Sequence, residues 1–223
     1  MNIPAVTGKQ MAEVDRVMLE ELHITLVQMM ENAGRSLAQL AISRFGPRHV
    51  VVLAGTGGNG GGAMTAARHL RNRGVGVQVV TTASPRGDSV TARQLDILER
   101  MGVELIQEPT DADLIIDGLI GYGLRDAPTG RTAQLITWAN QQLAPVLALD
   151  LPSGLNATTG QWSDPHITAA ATLTLALPKT GLVRARAKVG ELYLADIGVP
   201  ASAYQRFGLT VENMFTDAVV IRI

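Results

Sequence analysis

Two carboxylates, an amide and a hydroxyl stand where apolar runs of this chain stop. Asn59 lies inside Gly55-Thr56-Gly57-Gly58-Asn59-Gly60-Gly61-Gly62, directly after Val50-Val51-Val52-Leu53-Ala54. Asp117 closes Asp113-Leu114-Ile115-Ile116-Asp117 and leads into Gly118-Leu119-Ile120-Gly121-Tyr122-Gly123-Leu124. Asp150 follows the apolar run 145–149 and opens Asp150-Leu151-Pro152-Ser153-Gly154. If those runs are strands of a parallel sheet, the three ends converge on one rim, where open α/β sheets bind ligands. Such an oxygen-rich set can hold a hard cation or carry out acid–base chemistry. The glycine tract adds a second possibility. Glycines let the backbone approach a ligand closely, and a helix that follows offers free N–H groups to an anion, most often a nucleotide phosphate.

Taken singly, each group has a structural alternative. Asp117 could bond the N–H groups of the next loop, Asp150 could be a turn residue, and Ser153 could cap a turn. Gly55, Gly57 and Gly60 stand at GxGxxG spacing, but the tract is not a clean example of it, nor is it a Walker loop, since no Gly-Lys-Ser/Thr follows. A turn with several positive φ angles is its alternative, but six glycines in residues 55–62 exceed what a turn requires. Lys179, after Pro178, is expected as an exposed loop lysine, with a phosphate contact as the other option. His23, His49, His69 and His166 have no metal-ligand spacing, and no Gly-x-Ser-x-Gly elbow occurs, so neither a zinc site nor a Ser-His-Asp triad is expected.

The elements that must position these groups follow from periodicity. Thr7 is placed to cap a first helix with Met11, Val14, Val17, Met18 and Leu22 as its apolar stripe. After a break at His23-Ile24-Thr25, a second helix carries Leu26, Met29, Met30, Ala33, Leu37, Leu40 and Ala41 and ends near Gly46-Pro47. The Met29-Met30 pair reads as core rather than a ligand contact. Glu31 and Asn32 read as a solvated or capping pair, or else as a brace beneath the glycine loop. Strands are expected at 50–54, 75–82, 103–106, 113–117, 145–149, 167–177 and 191–197, with an edge strand at 218–221. Helices are expected from the glycine loop to Gly74, then at 89–101, 130–143 and 201–207. Strands and helices alternate, and several strands are apolar throughout, which points to a mostly parallel sheet covered on both faces. One domain over residues 1–223 is the simplest organisation.

Composition narrows the function classes. The 223 residues are 46% hydrophobic but only 4% aromatic, as suits an Ala/Val/Leu/Ile core. A net charge of −1 without a basic run argues against nucleic acid as the main partner. With no cysteine, disulfides, thiolate metal sites and cysteine nucleophiles are excluded. No run approaches the roughly 20 apolar residues of a membrane span, and no basic-then-apolar signal pattern opens the chain. A cytoplasmic protein without a membrane partner is expected.

The motifs resemble those of the YjeF N-terminal domain family, the NAD(P)H-hydrate epimerases. The resemblance rests on Met30-Glu31-Asn32-Ala33-Gly34, the glycine tract, Ala66-Ala67-Arg68-His69-Leu70 and the Asp117 and Asp150 segments above. Pro178-Lys179-Thr180-Gly181-Leu182 and Asp196-Ile197-Gly198-Val199-Pro200 complete it, over nearly the whole chain. It implies a Rossmann-like three-layer α/β/α sandwich with two extra N-terminal helices. It implies an isomerase that interconverts the R and S epimers of hydrated NADH or NADPH. It implies a potassium ion on Asn59, Asp117 and Ser153. It places the hydrated dinucleotide on Gly58, Asn59, Gly60, Gly61 and Gly62, on Gly121, Tyr122, Gly123, Leu124, Arg125, Asp126 and Ala127, and on Asp150. Among these, Asp150 is the expected acid–base group. Family members are often homodimers, for which the two leading helices are the expected surface, and many are fused to a dehydratase; a separate dehydratase partner is expected here. The family loop usually reads Gly-Asn-Asn-Gly-Gly-Asp-Gly, whereas this chain has Gly58, Gly62 and Ala63 at its second, sixth and seventh positions. Two rival functions follow: a member that binds a nucleotide-like ligand without turnover, as sensor or scaffold, and an α/β enzyme acting on another adenine- or ribose-bearing compound.

Overall fold

A computed structural model describes residues 3–211 and 214–223. Its frame is one eight-stranded sheet. In chain order the strands are β1 (His49–Ala54), β2 (Gly76–Thr81), β3 (Glu104–Leu105), β4 (Leu114–Gly118), β5 (Val146–Leu149), β6 (Ala171–Leu175), β7 (Glu191–Ala195) and β8 (Val220–Arg222). Across the sheet they run β3-β2-β1-β4-β5-β6-β7-β8, all parallel except the edge strand β8. The register places Val52 beside Ile116 and Ile116 beside Leu147.

Alternation along each strand sends apolar side chains to both faces. Val50, Val52, Ile116 and Leu147 pack under α2 (Leu26–Phe45), α3 (Gly58–Arg71) and α4 (Val90–Arg100). Val51, Leu53, Ile115 and Ala148 pack under α5 (Gly130–Gln141). A central strand covered on both faces has no polar side to present, which is why these runs are apolar throughout. The chain is thus the expected mostly parallel α/β sandwich, with the added helices at its start.

The first of these, α1 (Gly8–Arg16), and α2 both open on capping boxes, Thr7 with Gln10 and Thr25 with Gln28. Gly46, at φ 57°, closes α2 in the left-handed conformation. Two expectations differ by more than a few residues at an element's ends. The first helix does not continue regularly to Leu22, because Val17–Glu21 widens into a π turn. The strand expected at 167–177 is confined to β6. Before it, the N–H groups of Ile167 and Ala169 bond the carbonyls of Ser153 and Lys188, and after it Ala176 turns to φ 64°. A short helix, α6 (Thr180–Arg184), follows, and α7 (Ala201–Gln205) leads into the tail.

Helix α2 packs Leu37, Ala38 and Ala41 with α3, while Met11 and Val14 of α1 and Met18 of the π turn join Met29, Leu194, Ile197 and Tyr204 in a separate apolar cluster. Ahead of α1, Val6 lies against the segment before α6: its N–H donates to Pro178 O, and the Thr180 N–H donates to Val6 O, both at 2.9 Å. Among the described residues no helix is long and apolar enough to cross a membrane.

Candidate active site

The chain leaves β1 toward one edge of the sheet and β4 toward the other, so a crevice opens between their carboxyl ends. Glycine sets how tightly the two loops meet. A Cβ on Gly55 would lie 2.1 Å from Leu119 O, and one on Gly60 would lie 1.8 Å from Gly55 O. None of the glycines in 55–62 has a positive φ. The tract therefore serves close approach rather than a strained turn, and α3 begins within it at Gly58, leaving first-turn N–H groups open to an anion.

A cavity of about 360 Å³ occupies this crevice, within the size range of small-molecule sites. Gly57, Gly58, Asn59 and Gly62 line it from the tract, residues 119–123 from the β4 loop, and Leu149 and Asp150 from the end of β5. Leu175, Lys179 and Ile197 form another wall, and Met11, Asp15, Leu26, Met29, Met30 and Ala33 of α1 and α2 cover it. The lining is mainly apolar with a few polar groups, as suits a flat ring with hydrogen-bonding substituents.

Asp150 sits at φ 66°, unusual for a residue with a side chain, and its N–H donates to Leu173 O at 2.7 Å. Its carboxylate is 3% exposed and forms an ion pair with Lys179, itself 1% exposed. Oδ1 accepts from Lys179 Nζ, from the Leu175 N–H (3.3 Å) and from the Thr174 hydroxyl (3.4 Å). Oδ2 faces Gly121, where an added Cβ would lie 3.3 Å away. One carboxylate oxygen is thus fixed, and the other is offered to the cavity.

Asp117 is fully buried one strand away. Its Oδ1 accepts from Ser153 Oγ–H (2.6 Å) and the Leu119 N–H (3.1 Å), and its Oδ2 from the Ser153 N–H (2.8 Å). Every one of these donors is neutral. Burial pushes its pKa up to about 6, against the lowering effect of the Ser153 and Leu119 bonds. Ser153 Oγ also accepts from the Ile120 N–H (2.9 Å). Asn59 donates through Nδ2 to Leu149 O (3.2 Å), while its Oδ1 lies beside Gly121. Among the described residues the Asp117 carboxylate has no cationic partner, and it, the Ser153 hydroxyl and the Asn59 amide oxygen are all oxygen donors, the kind a hard cation takes.

The structure brings Asn59, Gly121, Tyr122, Gly123 and Asp150 to one cavity, together with Gly58 and Gly62. Asp117 and Ser153 lie beneath its floor, and Gly60 and Gly61 face inward, against Gly55 and Met30. Leu124, Arg125, Asp126 and Ala127 lie outside the lining, the last three exposed. Lys179 requires a correction. It is not an exposed loop lysine, because a buried ammonium needs an anion and Asp150 supplies it. Nor is it free for a phosphate, since its Nζ also donates to Leu175 O (2.9 Å) and Thr174 Oγ1 (3.5 Å). Met29 and Met30 are buried, as expected of core residues, yet both also line the cavity. Glu31 takes the brace role: it bonds Arg68 and His69 (2.8 Å) on α3, while Asn32 reaches Ile197 O (3.3 Å). Asp15 was missed. It lies four residues after Met11 and three before Met18, a polar residue on the apolar stripe, and that was the available signal.

Comparison with known proteins bears on the whole chain. The family model for the YjeF-related protein N-terminus matches residues 26–181. The NAD(P)H-hydrate epimerase of Dehalogenimonas lykanthroporepellens is 44% identical, over 99% of this chain and 93% of that one. The NAD(P)H-hydrate epimerase of Rhodopirellula baltica is 34% identical, over 94% of this chain and 90% of its own. The bifunctional NAD(P)H-hydrate repair enzyme Nnr of Moorella thermoacetica is 37% identical over 87% of this chain, which spans 40% of that longer protein. The crystal structure of yeast YNL200c superposes with a TM-score of 0.86 over 99% of this chain and all of that one, at 23% identity, and so shares the fold. The chain belongs to the YjeF-related protein N-terminus family.

Proposed function

We propose that the chain is an NAD(P)H-hydrate epimerase, an isomerase that interconverts the R and S epimers of hydrated NADH and NADPH. The observation that carries this reading is the 44% identity, over nearly the full length of both chains, to a protein of that name. The cavity chemistry supports it. The hydrated ring carbon bears a hydroxyl beside the ring nitrogen. The nitrogen lone pair can expel that hydroxyl, and water returning to the other face inverts the centre. The enzyme must protonate the departing hydroxyl, deprotonate the incoming water and stabilise the cation between them. Asp150 is the acid–base group, because Oδ2 faces the cavity while Oδ1 is held by Lys179. Its negative charge also favours the cationic ring. The tract N–H groups and Gly121, Tyr122 and Gly123 take the rest of the dinucleotide, with residues 124–127 on the outer rim.

Asn59, Asp117 and Ser153 would hold a potassium ion, which would offset the buried Asp117 charge and fix oxygen atoms around the crevice. Residues 1–223 would act as one unit in the cytoplasm, as a homodimer joined through the leading helices, where Leu19, Leu22 and Val27 are exposed apolar side chains. A separate NAD(P)H-hydrate dehydratase would consume one epimer. A second reading, a binding protein without turnover, draws on Gly62, where the family loop carries Asp.

Proton NMR of separated R and S hydrates incubated with the purified chain tests the function. Equilibration much faster than the uncatalysed rate is expected. Tight binding of the hydrates with no acceleration would establish the second reading instead.

A further inference from the structure

We propose that Asp15, through its bond with Tyr122, is a second proton carrier of the cavity, serving the ring face that Asp150 does not reach; this rests on the epimerase reading above. Epimerisation takes the hydroxyl off one face of the ring and adds water to the other. Asp150 is poorly suited to serve both. Its Oδ1 is fixed by Lys179, Thr174 and the Leu175 N–H, and its backbone is locked by the Leu173 bond. The remaining titratable groups of the lining are Asp15, Tyr122 and Lys179, and the Lys179 ammonium is already committed to Asp150, Leu175 and Thr174. That leaves the pair formed where Tyr122 OH donates to Asp15 Oδ2.

The surroundings of Asp15 suit a proton donor. Burial raises its pKa, the bond from Tyr122 and the Lys179 charge lower it, and the Asp150 charge raises it again, with the net direction upward. Tyr122 is itself held in its protonated form by burial and by Asp15 and Asp150. One cavity therefore contains one acid held in an ion pair and a second whose surroundings raise its pKa. Helix α1, which carries Asp15, lies ahead of residues 26–181, so a segment outside the family match completes the site.

In one direction, the Asp15 carboxyl gives its proton to the departing hydroxyl. The C–O bond breaks with its electron pair on oxygen, water leaves, and the ring nitrogen lone pair forms the C=N bond. Water then adds to that carbon from the other face. Its oxygen supplies the electron pair of the new C–O bond, the C=N pair returns to nitrogen, and the water's surplus proton passes to Asp150. The reverse turnover, or exchange with solvent, restores the starting protonation.

Asp15→Asn tests this. Asn keeps an oxygen to accept from Tyr122 OH but cannot exchange a proton. The expected result is a kcat about 100-fold or more below wild type, a KM within about threefold, loss of one limb of the pH–rate profile, and an unchanged melting profile. Tyr122→Phe, which keeps the ring, should lower kcat less and move that same limb. A purely structural Asp15 would give wild-type kcat and pH profile in Asp15→Asn, and that outcome overturns the proposal while leaving the epimerase reading standing. A wild-type chain that does not accelerate epimerisation overturns the parent reading, and this one with it.

Discussion

Asp117 and Asp150 close neighbouring strands, β4 and β5, and both are buried, yet their surroundings are opposite. Asp150 is met by a buried ammonium that takes one oxygen and leaves the other to the cavity. Among the described residues Asp117 is met only by neutral N–H and O–H groups, and burial pushes its pKa up to about 6. A carboxylate with its own cation can stay charged and act on a ligand. A carboxylate without one must take a proton or receive a cation from solution. The same side chain, one strand apart, is thus charge-paired in one place and left to take a proton or a cation in the other, and the proposed roles rest on that difference.

The strongest way to break this contrast is to remove the charge at Asp150. Asp150→Asn leaves the Lys179 ammonium buried without its partner, which should destabilise the fold by about 3–5 kcal/mol. It should also lower kcat by at least about 100-fold. Urea unfolding and the NMR epimerase assay read the two effects separately. The double variant Asp150→Asn with Lys179→Met should recover most of the stability and none of the activity. If the double variant were as unstable as the single one, the stranded charge would not be the reason for the loss.

Asp117 gives the next largest effect and tests the sign of the contrast. Its folded pKa lies above the ordinary value near 3.8, so the protonated form favours folding. That stabilisation is complete below about pH 4 and is lost as the pH rises through about 6, a change of about 3 kcal/mol without a bound cation. Potassium chloride should therefore raise the melting temperature at pH 7 relative to tetramethylammonium chloride at equal ionic strength, and have little effect at pH 4.5. Asp117→Asn should remove both the potassium response and this part of the pH dependence. An equal potassium response at both pH values would detach the ion from Asp117.

The reach of the sequence follows the same contrast. Asp117 was legible because its environment is local: an apolar run, a carboxylate and a glycine loop, with Ser153 at the matching place after the next strand. The convergence of 59, 117 and 150 followed from the parallel sheet alone. What Asp150 does with its charge was not legible. Its partner lies 29 residues further on, in a segment whose Pro-Lys-Thr-Gly composition looks like a surface loop. Lys179 is drawn inward by the Val6 bridge, a pairing between distant segments that no periodicity records. Nor does a 3.6-residue repeat show that Val17–Glu21 widens into a π turn.

A smaller change can be made on the opposite wall of the crevice. Gly62 lines the cavity, and a Cβ there would meet only the tip of Leu149, at 2.9 Å. A flexible terminus can move aside, so Gly62→Asp should fold. If the added carboxylate reaches a ribose hydroxyl, it should lower KM by about 3- to 10-fold, the net value of one ordinary hydrogen bond, with kcat little changed. A higher KM would mean that a third acid in the cavity repels the substrate's phosphates more than it helps.

The smallest expected effect comes from a carboxylate outside the cavity. Glu31 is paired like Asp150, with Arg68 and His69, but its side chain is 32% exposed. Its pKa is lowered because the His69 bond and the Arg68 charge outweigh a desolvation that raises it. Water screens a carboxylate that is a third exposed, and Gln keeps an oxygen to accept from Arg68. Glu31→Gln should therefore lose about 1 kcal/mol or less, a drop of about 2–4 °C in melting temperature for a chain of this size. Its kcat should stay at the wild-type value, since α3 remains packed on α2 through Leu37, Ala38 and Ala41. A loss approaching that of Asp150→Asn would mean that burial is not what separates the two pairs, and that the brace between α2 and α3 sets the position of the glycine tract.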